Sequence, residues 1–167
     1  PDVTEFRPGD RVAALGFVGN SRENERLVGA FAEKTVAPLR NLAHVPDSVS
    51  LEQAAIFRSN NETSYYALQK GHLKEGETLL VLGAGGGTGY AAVELGKLMG
   101  ARVIGSASSE DKRQLALRAG ADAVIDSRDP DWRGKINELT GGRGIDVVYD
   151  PVGGDQTERA FRSLAYG

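Results

Sequence analysis

The segment that most constrains the fold of this chain is a glycine-rich loop, residues 83–89, which joins an apolar strand to a helix. The strand Thr78–Leu82 reads Thr-Leu-Leu-Val-Leu, and a helix of about Gly89–Met99 follows the loop. A bound pyrophosphate needs exposed backbone N–H groups, close approach without a Cβ atom and the positive end of a helix dipole, and this order of elements provides all three. Many glycine-rich segments are only turns, but the flanking strand and helix, with a second strand at the expected distance, favour a dinucleotide site.

The loop residues predicted to contact the dinucleotide are Ala84, Gly85, Gly86, Gly87, Thr88 and Gly89. Ala84, Gly86 and Gly89 occupy the three fingerprint positions, so alanine stands where glycine is usual. Alanine allows the tight turn if its φ stays negative, whereas Gly86 is the position at which the phosphate approaches the backbone.

From Thr78 onward the chain alternates between short apolar strands and helices. Strands are predicted at Thr78–Leu82, Arg102–Ser106, Ala123–Ile125 and Asp146–Tyr149, whose β-branched or aliphatic runs suit a buried parallel sheet. Helices are predicted at about Gly89–Met99, from a cap at Ser108 or Ser109 to Gly120, from Asp129-Pro130 to Gly141, and from a capping box at Asp155 and Glu158 through Leu164. The pattern predicts an α/β fold with a Rossmann-type doubly wound parallel sheet.

The first part of the chain has a different texture, which changes near residue 57. Short β-like runs at Arg11–Leu15 and Ala30–Val36 are separated by a polar loop, and short helices are predicted at Leu51–Ile56 and Thr63–Gln69. We therefore predict a partial β domain over residues 1–57 and a partial dinucleotide-binding domain over residues 58–167.

The choice of nucleotide depends on the end of the second predicted strand. An NAD enzyme would place Asp or Glu there against the ribose 2′-hydroxyl, and this chain has Ala107 instead. Ser108 and Lys112 could donate to a 2′-phosphate, and Arg128, after the third strand, could join them. These residues favour NADP(H). The alternative is that Lys112 and Arg113 are solvated helix residues.

Composition excludes several functional classes. The net charge is −3 and the pI is near 5.5, so no overall positive field exists to hold nucleic acid or an anionic membrane. The chain has no cysteine, which removes disulfides, iron–sulfur clusters and thiolate zinc from these residues. It has no apolar run of about 18 residues and no signal-peptide pattern. We expect a cytoplasmic protein.

Segments that match one family run in order through nearly the whole chain. They are PGDRV at Pro8–Val12, GAFAEKTVAP at Gly29–Pro38, VPDSVSLEQAA at Val45–Ala55, ETSYYAL at Glu62–Leu68, LKEGETLLVLGAGGGTG at Leu73–Gly89, GARVIGSASSEDK at Gly100–Lys112, GADAVID at Gly120–Asp126 and TGGRGIDVVYDPVGG at Thr140–Gly154. The chain thereby resembles the quinone oxidoreductase (zeta-crystallin-like) branch of the medium-chain dehydrogenase/reductase superfamily. The resemblance implies a GroES-like β domain before the Rossmann domain, and it covers about half of a family member.

Two places separate this chain from the zinc-containing members of the superfamily. In those members, a four-cysteine lobe lies where this chain has the cysteine-free segment Ala13–Val28, and a zinc-ligating cysteine stands where this chain has Ser59. A hydroxyl is a poor substitute for a thiolate on zinc. We expect a zinc-independent protein without a metal site.

The resemblance implies hydride transfer from NADPH to a quinone or an α,β-unsaturated carbonyl. It places Thr63 at the nicotinamide carboxamide and the Val152-Gly153 turn at the adenosine side, although Thr63 could equally be a helix-capping hydroxyl. It also implies a homodimer of the whole protein, whereas the present chain alone is expected to be inactive. Three alternatives stay open: an enoyl-thioester reductase, a non-catalytic NADP(H)-binding protein (crystallin-like, trafficking or redox-sensing), and an interaction module that uses the loop Asn20–Arg26.

Overall fold

The structure is a computed structural model that describes residues 3–14 and 32–166. The chain divides into two compact units, Pro1–Ser59 and Asn60–Gly167. The helix Leu51–Lys70 begins in the first unit and ends in the second. The predicted interaction loop Asn20–Arg26 lies outside the described residues.

The first unit contains a two-stranded antiparallel sheet in its described part. Strands β1 (Val12–Ala14) and β2 (Leu42–His44) pair with Val12 opposite His44, and a 3-10 turn, Leu39–Asn41, precedes β2. The Arg11 guanidinium, beside β1, donates to the carbonyl oxygens of Pro46 and Val49 at 3.1 and 2.6 Å. These bonds hold the segment that leads into the helix against the sheet.

Two predictions for this unit need correction. The strand predicted at Ala30–Val36 is wrong over residues 32–36, which are exposed and form no strand. A preference for strands reflects packing on a half-buried surface, and these exposed side chains gain no such burial. Ala30 and Phe31 lie outside the described residues. The two short helices predicted at Leu51–Ile56 and Thr63–Gln69 form one helix, α1 (Leu51–Lys70). No Gly or Pro interrupts this stretch, and Ser50 and Gln53 cap its start reciprocally.

The second unit is an α/β fold with a Rossmann-type parallel sheet. The strands are β3 (Thr78–Leu82), β4 (Arg102–Ala107), β5 (Ala123–Asp126) and β6 (Val147–Tyr149), in the spatial order β5-β4-β3-β6. The helices that follow the strands are α2 (Gly87–Leu98), α3 (Glu110–Arg118), α4 (Trp132–Leu139) and α5 (Asp155–Phe161). The four predicted strands form this sheet, β3 with its predicted limits and the other three with one end shifted by one residue.

Apolar residues cover both faces of this sheet. One cluster includes Leu79, Val81 and Val103, and the other includes Leu80 and Ile104 together with side chains of α4. Leu79, Leu80, Val81 and Leu82 are all fully buried, and each such side chain contributes about 1.5–3 kcal/mol relative to its exposed state. Burial on both faces explains why the strands read as continuous apolar runs rather than as alternating patterns.

Several helix ends differ from their predicted positions. Helix α4 begins at Trp132 rather than at Pro130, because Asp129 accepts the N–H of Asp131 and forms a turn before the helix. The capping box predicted at Asp155 is wrong: Asp155 is the first helical residue, and its N-cap is Gly154, at φ 68°. Leu164 lies beyond α5 and forms a parallel bridge with Ile145.

The strand order produces a change of direction at the centre of the sheet. From β3 the chain moves outward through β4 to β5 and then returns to β6 on the other side of β3. In open parallel sheets, ligands bind beyond the carboxyl ends of the strands at this point. The glycine loop leaves β3 there.

Candidate nucleotide-binding site

The glycine loop turns sharply at Gly83, one residue before the first fingerprint position. Gly83 has φ 63°, a left-handed conformation that favours glycine, and its carbonyl accepts the N–H of Gly86 at 2.9 Å. Ala84 is fully buried and has no positive φ, and its N–H donates to the Ser106 carbonyl at 3.0 Å. Alanine is tolerated at position 84 because the strained turn is made by Gly83.

Three other glycines of the loop lie in close contacts that an added Cβ atom would disturb. A Cβ atom on Gly89 would lie 2.2 Å from the Gly83 oxygen, so glycine is needed where helix α2 leaves the loop. A Cβ on Gly85 would lie 2.6 Å from the Cβ of Lys112, which brings the loop against helix α3. Gly87 lies against the Asn60 side-chain amide, whose nitrogen would be 2.7 Å from a Cβ.

The start of α2 presents unpaired backbone donors. Its N-cap is Gly86, which has no side chain to cap the helix. Among the described residues, no hydrogen-bond acceptor is paired with the N–H groups of Gly85, Gly87 or Thr88. Unpaired N–H groups at the positive end of a helix dipole are suited to an anion such as a phosphate.

A cleft of about 350 Å³ lies beside this loop at the carboxyl ends of all four strands. It is lined by Gly83, Gly85, Gly86, Thr88, Ser106, Ala107, Ser108, Lys112, Ser127, Pro151, Val152 and Gln156. The predicted residues Gly85, Gly86, Thr88, Ser108, Lys112 and Val152 are therefore brought together. The cleft has the position expected of a ligand site in a doubly wound sheet.

The wall beyond β4 combines a small apolar side chain with hydroxyl groups and one ammonium. Ala107 is 4% exposed, so no carboxylate stands at the end of this strand. Ser109 caps α3 by accepting the N–H of Lys112, which fixes the start of that helix beside the loop. Ser106, fully buried, has a hydroxyl without a hydrogen-bond partner among the described residues. A ligand atom in the cleft could provide that partner.

The opposite wall is a turn organised by Asp150. Its Oδ1 accepts the N–H groups of Val152 and Gly153 at 2.9 and 2.8 Å, and its Oδ2 accepts the hydroxyl of Thr157. Burial raises the pKa of Asp150, but these hydrogen bonds outweigh it, so the pKa lies below the ordinary value of 3.8. A Cβ on Gly83 would be 2.9 Å from the Val152 side chain, so this turn packs on the glycine loop.

Comparison with known proteins agrees with this architecture. The family model described as "Zinc-binding dehydrogenase" matches residues 87–167. A quinone oxidoreductase of Pseudomonas aeruginosa is 37% identical over 166 residues, which are 98% of this chain and 48% of that protein. The chain belongs to the quinone oxidoreductase branch of the medium-chain dehydrogenase/reductase superfamily. It spans about half the length of the curated relatives it matches.

Solved structures of this superfamily superpose well on the chain. The Escherichia coli quinone oxidoreductase complexed with NADPH has a TM-score of 0.80 and 35% identity, covering 97% of this chain and 47% of that one. A structure described as an NAD-dependent alcohol dehydrogenase has a TM-score of 0.86 and 34% identity, covering 99% of this chain and 53% of that one. One of these proteins is complexed with NADPH and the other is described as NAD-dependent, so the choice of cofactor for this chain rests on the residues of its cleft.

Some predicted residues of this medium-chain reductase chain lie outside the cleft lining. Ala84, Gly87 and Gly89 do not line the cleft, but their packing determines the shape of the loop that does. Gly153, at φ 76°, is held in the Asp150 turn without lining the cleft.

Arg128 also lies outside the cleft lining. Its guanidinium is 71% exposed, and its Nε is 3.5 Å from Asp126 Oδ1. Arg128 is thus not among the residues that line the cleft with Ser108 and Lys112. The backbone N–H of Arg128 also donates to Asp126, which lowers the pKa of that carboxyl together with the charges of Arg113 and Arg128.

Arg113 is not the solvated helix residue that the alternative interpretation supposed. Its side chain is only 16% exposed and contacts Glu110, Asp126 and the Ala107 carbonyl. Lys112, by contrast, is exposed, and among the described residues it forms no ion pair. The two adjacent basic residues therefore have different environments.

Thr63 lines a second cleft, of about 400 Å³, with Thr88, Tyr149 and Asp150. The neighbouring Ser64 is fully buried, and its hydroxyl lies 2.8 Å from the Thr88 carbonyl and 3.2 Å from the Tyr149 hydroxyl. Ser64 thus fixes this end of α1 to the glycine loop. Thr88 lines both clefts, so Thr63 is adjacent to the loop region.

Besides Gly83 and Ala107, which the sequence places in the motif without predicting a contact, four residues that line the cleft were not predicted: Ser106, Ser127, Pro151 and Gln156. Ser106 belongs to β4, and Ser127 and Pro151 follow β5 and β6 directly or after one residue. Their position at the carboxyl end of a parallel strand is a signal that could have identified them. Gln156 lies in α5 and has no comparable signal.

Membrane spans and metal-ligand clusters are both absent from the described residues. No helix there is long and apolar enough to cross a membrane. Within the same residues, no group of three or more His, Asp or Glu side chains could hold a metal ion.

Proposed function

We propose that the protein is an NADPH-dependent oxidoreductase and that the cleft beside the glycine loop holds the adenosine and pyrophosphate part of the cofactor. The observation that carries this proposal is the convergence on one cleft of unpaired helix N–H groups, an unpaired ammonium and the carboxyl ends of four parallel strands. The E. coli quinone oxidoreductase complexed with NADPH has a similar fold, which supports the proposal.

The residues present fit this cofactor. Gly85 and Thr88, whose backbone N–H groups are unpaired among the described residues, would hold the pyrophosphate, and Gly86 would let it approach the backbone without a Cβ atom. A larger side chain at Gly85 would be blocked by Lys112. Ser108 and Lys112 would hold the 2′-phosphate, because a charge-assisted hydrogen bond to phosphate contributes roughly 1.5–3 kcal/mol. The unpartnered Ser106 hydroxyl offers one further hydrogen bond inside the cleft.

The reaction proposed is hydride transfer to a quinone or an α,β-unsaturated carbonyl. NADPH supplies the hydride when it is bound, and the chain's own residues bind and orient the cofactor. Thr63, at the second cleft next to Thr88, would contact the nicotinamide carboxamide, and Val152 with Gly153 would border the adenosine. The quinone substrate is supported by the names of the relatives that this chain resembles.

We further propose that the reaction needs no zinc. Ser59 stands where zinc-containing members have a cysteine ligand, and the segment Ala13–Val28 contains no cysteine. The same family resemblance supports a GroES-like domain over residues 1–57 and a Rossmann domain over 58–167. It also supports a homodimeric, cytoplasmic whole protein.

The test is an assay of NADPH oxidation by the intact protein with three acceptors: a benzoquinone, an enone and an enoyl thioester. We expect oxidation with the quinone or the enone that a strong zinc chelator does not change. Turnover with the enoyl thioester alone would assign the protein to that reductase class instead. NADPH binding without any turnover would support the non-catalytic alternative, and loss of activity on chelation would contradict zinc independence.

A further inference from the structure

A cluster of charged side chains lies beside the carboxyl end of β4, outside the cleft lining. Arg113 is at its centre. Its Nη1 is 2.9 Å from Asp126 Oδ2 and donates to the Ala107 carbonyl at 3.3 Å, while its Nε and Nη2 donate to Glu110 Oε2 at 3.2 and 2.8 Å. Arg113 therefore joins the first turn of α3 to the ends of both β4 and β5.

Asp126 brings a carboxylate close to the position that distinguishes the two nicotinamide cofactors. It is the register partner of Ala107, and adjacent strands are about 4.8 Å apart. Ala107 is the position at which an acidic residue would select NAD, so the sheet places an acid one strand further along. An uncompensated carboxylate there would repel a 2′-phosphate, because like charges brought together disfavour binding.

Arg113 is better placed than Arg128 to compensate this charge. The Arg113 side chain is 16% exposed and is held by three acceptors, whereas Arg128 is 71% exposed and its Nε lies 3.5 Å from the same carboxylate. Exposed ion pairs are screened by water and contribute little. The charge of Asp126 is thus balanced mainly by Arg113.

We propose that Arg113 is a positioning residue that sets the preference for a nicotinamide dinucleotide carrying a 2′-phosphate. Arg113 does not line the cleft, so it acts through Asp126, whose charge it neutralises, and through the Ala107 carbonyl, which it holds. With Asp126 neutralised, the ammonium of Lys112 is available to the 2′-phosphate. This inference rests on the proposed cofactor site and adds the residue that determines its specificity.

The experiment is a titration of the intact protein with NADPH and with NADH, followed by fluorescence. The variants are Arg113→Met, Asp126→Asn and the double variant, and Arg118→Met is the control, since it removes the same charge from the exposed last turn of α3. Arg113→Met is expected to weaken NADPH binding about tenfold or more and NADH binding less than about threefold. Adding Asp126→Asn to Arg113→Met is expected to restore most of the lost NADPH affinity, and Arg118→Met is expected to change neither affinity.

If Arg113 acted on stability alone, Arg113→Met would weaken the binding of both cofactors together, and adding Asp126→Asn would not restore the NADPH affinity. Either result overturns the inference. NADH binding and circular dichroism show whether Arg113→Met is folded. If Arg113→Met is not folded, the single variant Asp126→Asn decides the question. The inference requires that this variant bind NADPH as tightly as wild type or more tightly. Loss of the preference for NADPH over NADH in this variant would overturn the inference. If the wild-type protein binds neither cofactor, the proposed function itself is contradicted. That result is distinct from NADPH binding that is unchanged in Arg113→Met, which contradicts only the role of Arg113.

Discussion

The α carbon of Gly89 lies against the carbonyl group of Gly83, so that a Cβ atom on Gly89 would be 2.2 Å from the Gly83 oxygen. Because this contact is between backbones, Gly89→Ala must displace either the loop or the first turn of α2. We expect the free energy of unfolding to fall by about 1–3 kcal/mol, as for other overpacked sites, and NADPH binding to weaken beyond detection in a titration of the folded fraction. Unchanged affinity in a stable variant would contradict the packing described for this loop.

Gly96 provides the matched control on the same helix. A Cβ there would be 2.6 Å from Leu79 Cδ2 and 3.1 Å from Val103 Cγ2, at the contact of α2 with the sheet and away from the loop. Gly96→Ala is expected to lower the free energy of unfolding by about 1–3 kcal/mol in denaturant titrations while leaving the NADPH affinity of the folded protein unchanged. A selective loss of NADPH affinity in this variant would show that the two positions do not act separately.

Asp150 is expected to make the stability of the Val152-Gly153 turn depend on pH. Its pKa in the folded protein lies below 3.8, so its stabilising contribution is complete above about pH 4 and is lost as the pH falls through the lower folded value. Asp150→Ala is expected to lower the free energy of unfolding by about 1–2 kcal/mol at neutral pH. It is also expected to weaken the binding of NADPH and of NADH equally. Asp150→Asn keeps an oxygen that can accept the two N–H groups, so it should lose less stability than Asp150→Ala.

The measurement for Asp150 is the free energy of unfolding between pH 3 and pH 7 by urea titration. Wild-type protein should lose more stability than Asp150→Asn over the acidic part of this range. If the free energy of unfolding depends on pH in the same way in the two proteins, Asp150 is not the group responsible for the acid sensitivity.

The strands of the second unit could be predicted because burial on both faces leaves an unmistakable pattern. Leu79–Leu82 are completely buried, and the predicted limits of β3 are those observed. The run at Ala30–Val36 contains aromatic and β-branched residues, but its described part is exposed and forms no strand, so local preference alone is not sufficient there. The sequence does not predict the single helix α1, because polar residues separate its two apolar stretches.

Within the site, the sequence predicted which backbone would approach a phosphate but not how charges would pair. Gly85, Gly86, Lys112 and Val152 meet in the cleft as their motif positions imply. Arg128 lies outside the cleft lining and beside Asp126, which is only two residues earlier in the chain. The ion pair between Arg113 and Asp126, by contrast, exists only once β5 lies beside β4 and α3. Side-chain pairing depends on tertiary neighbours, which spacing along the chain does not reveal.

The proposal that this cleft binds NADPH through its 2′-phosphate is tested most directly by titrating wild type and Lys112→Ala with NADPH and NADH. Arg118→Ala serves as the charge-matched control on α3. Loss of one charge-assisted hydrogen bond predicts NADPH binding about tenfold or more weaker in Lys112→Ala, with NADH within about threefold of wild type and the control unchanged for both. Equal affinity of wild type for the two cofactors, unaltered in Lys112→Ala, would contradict the assignment.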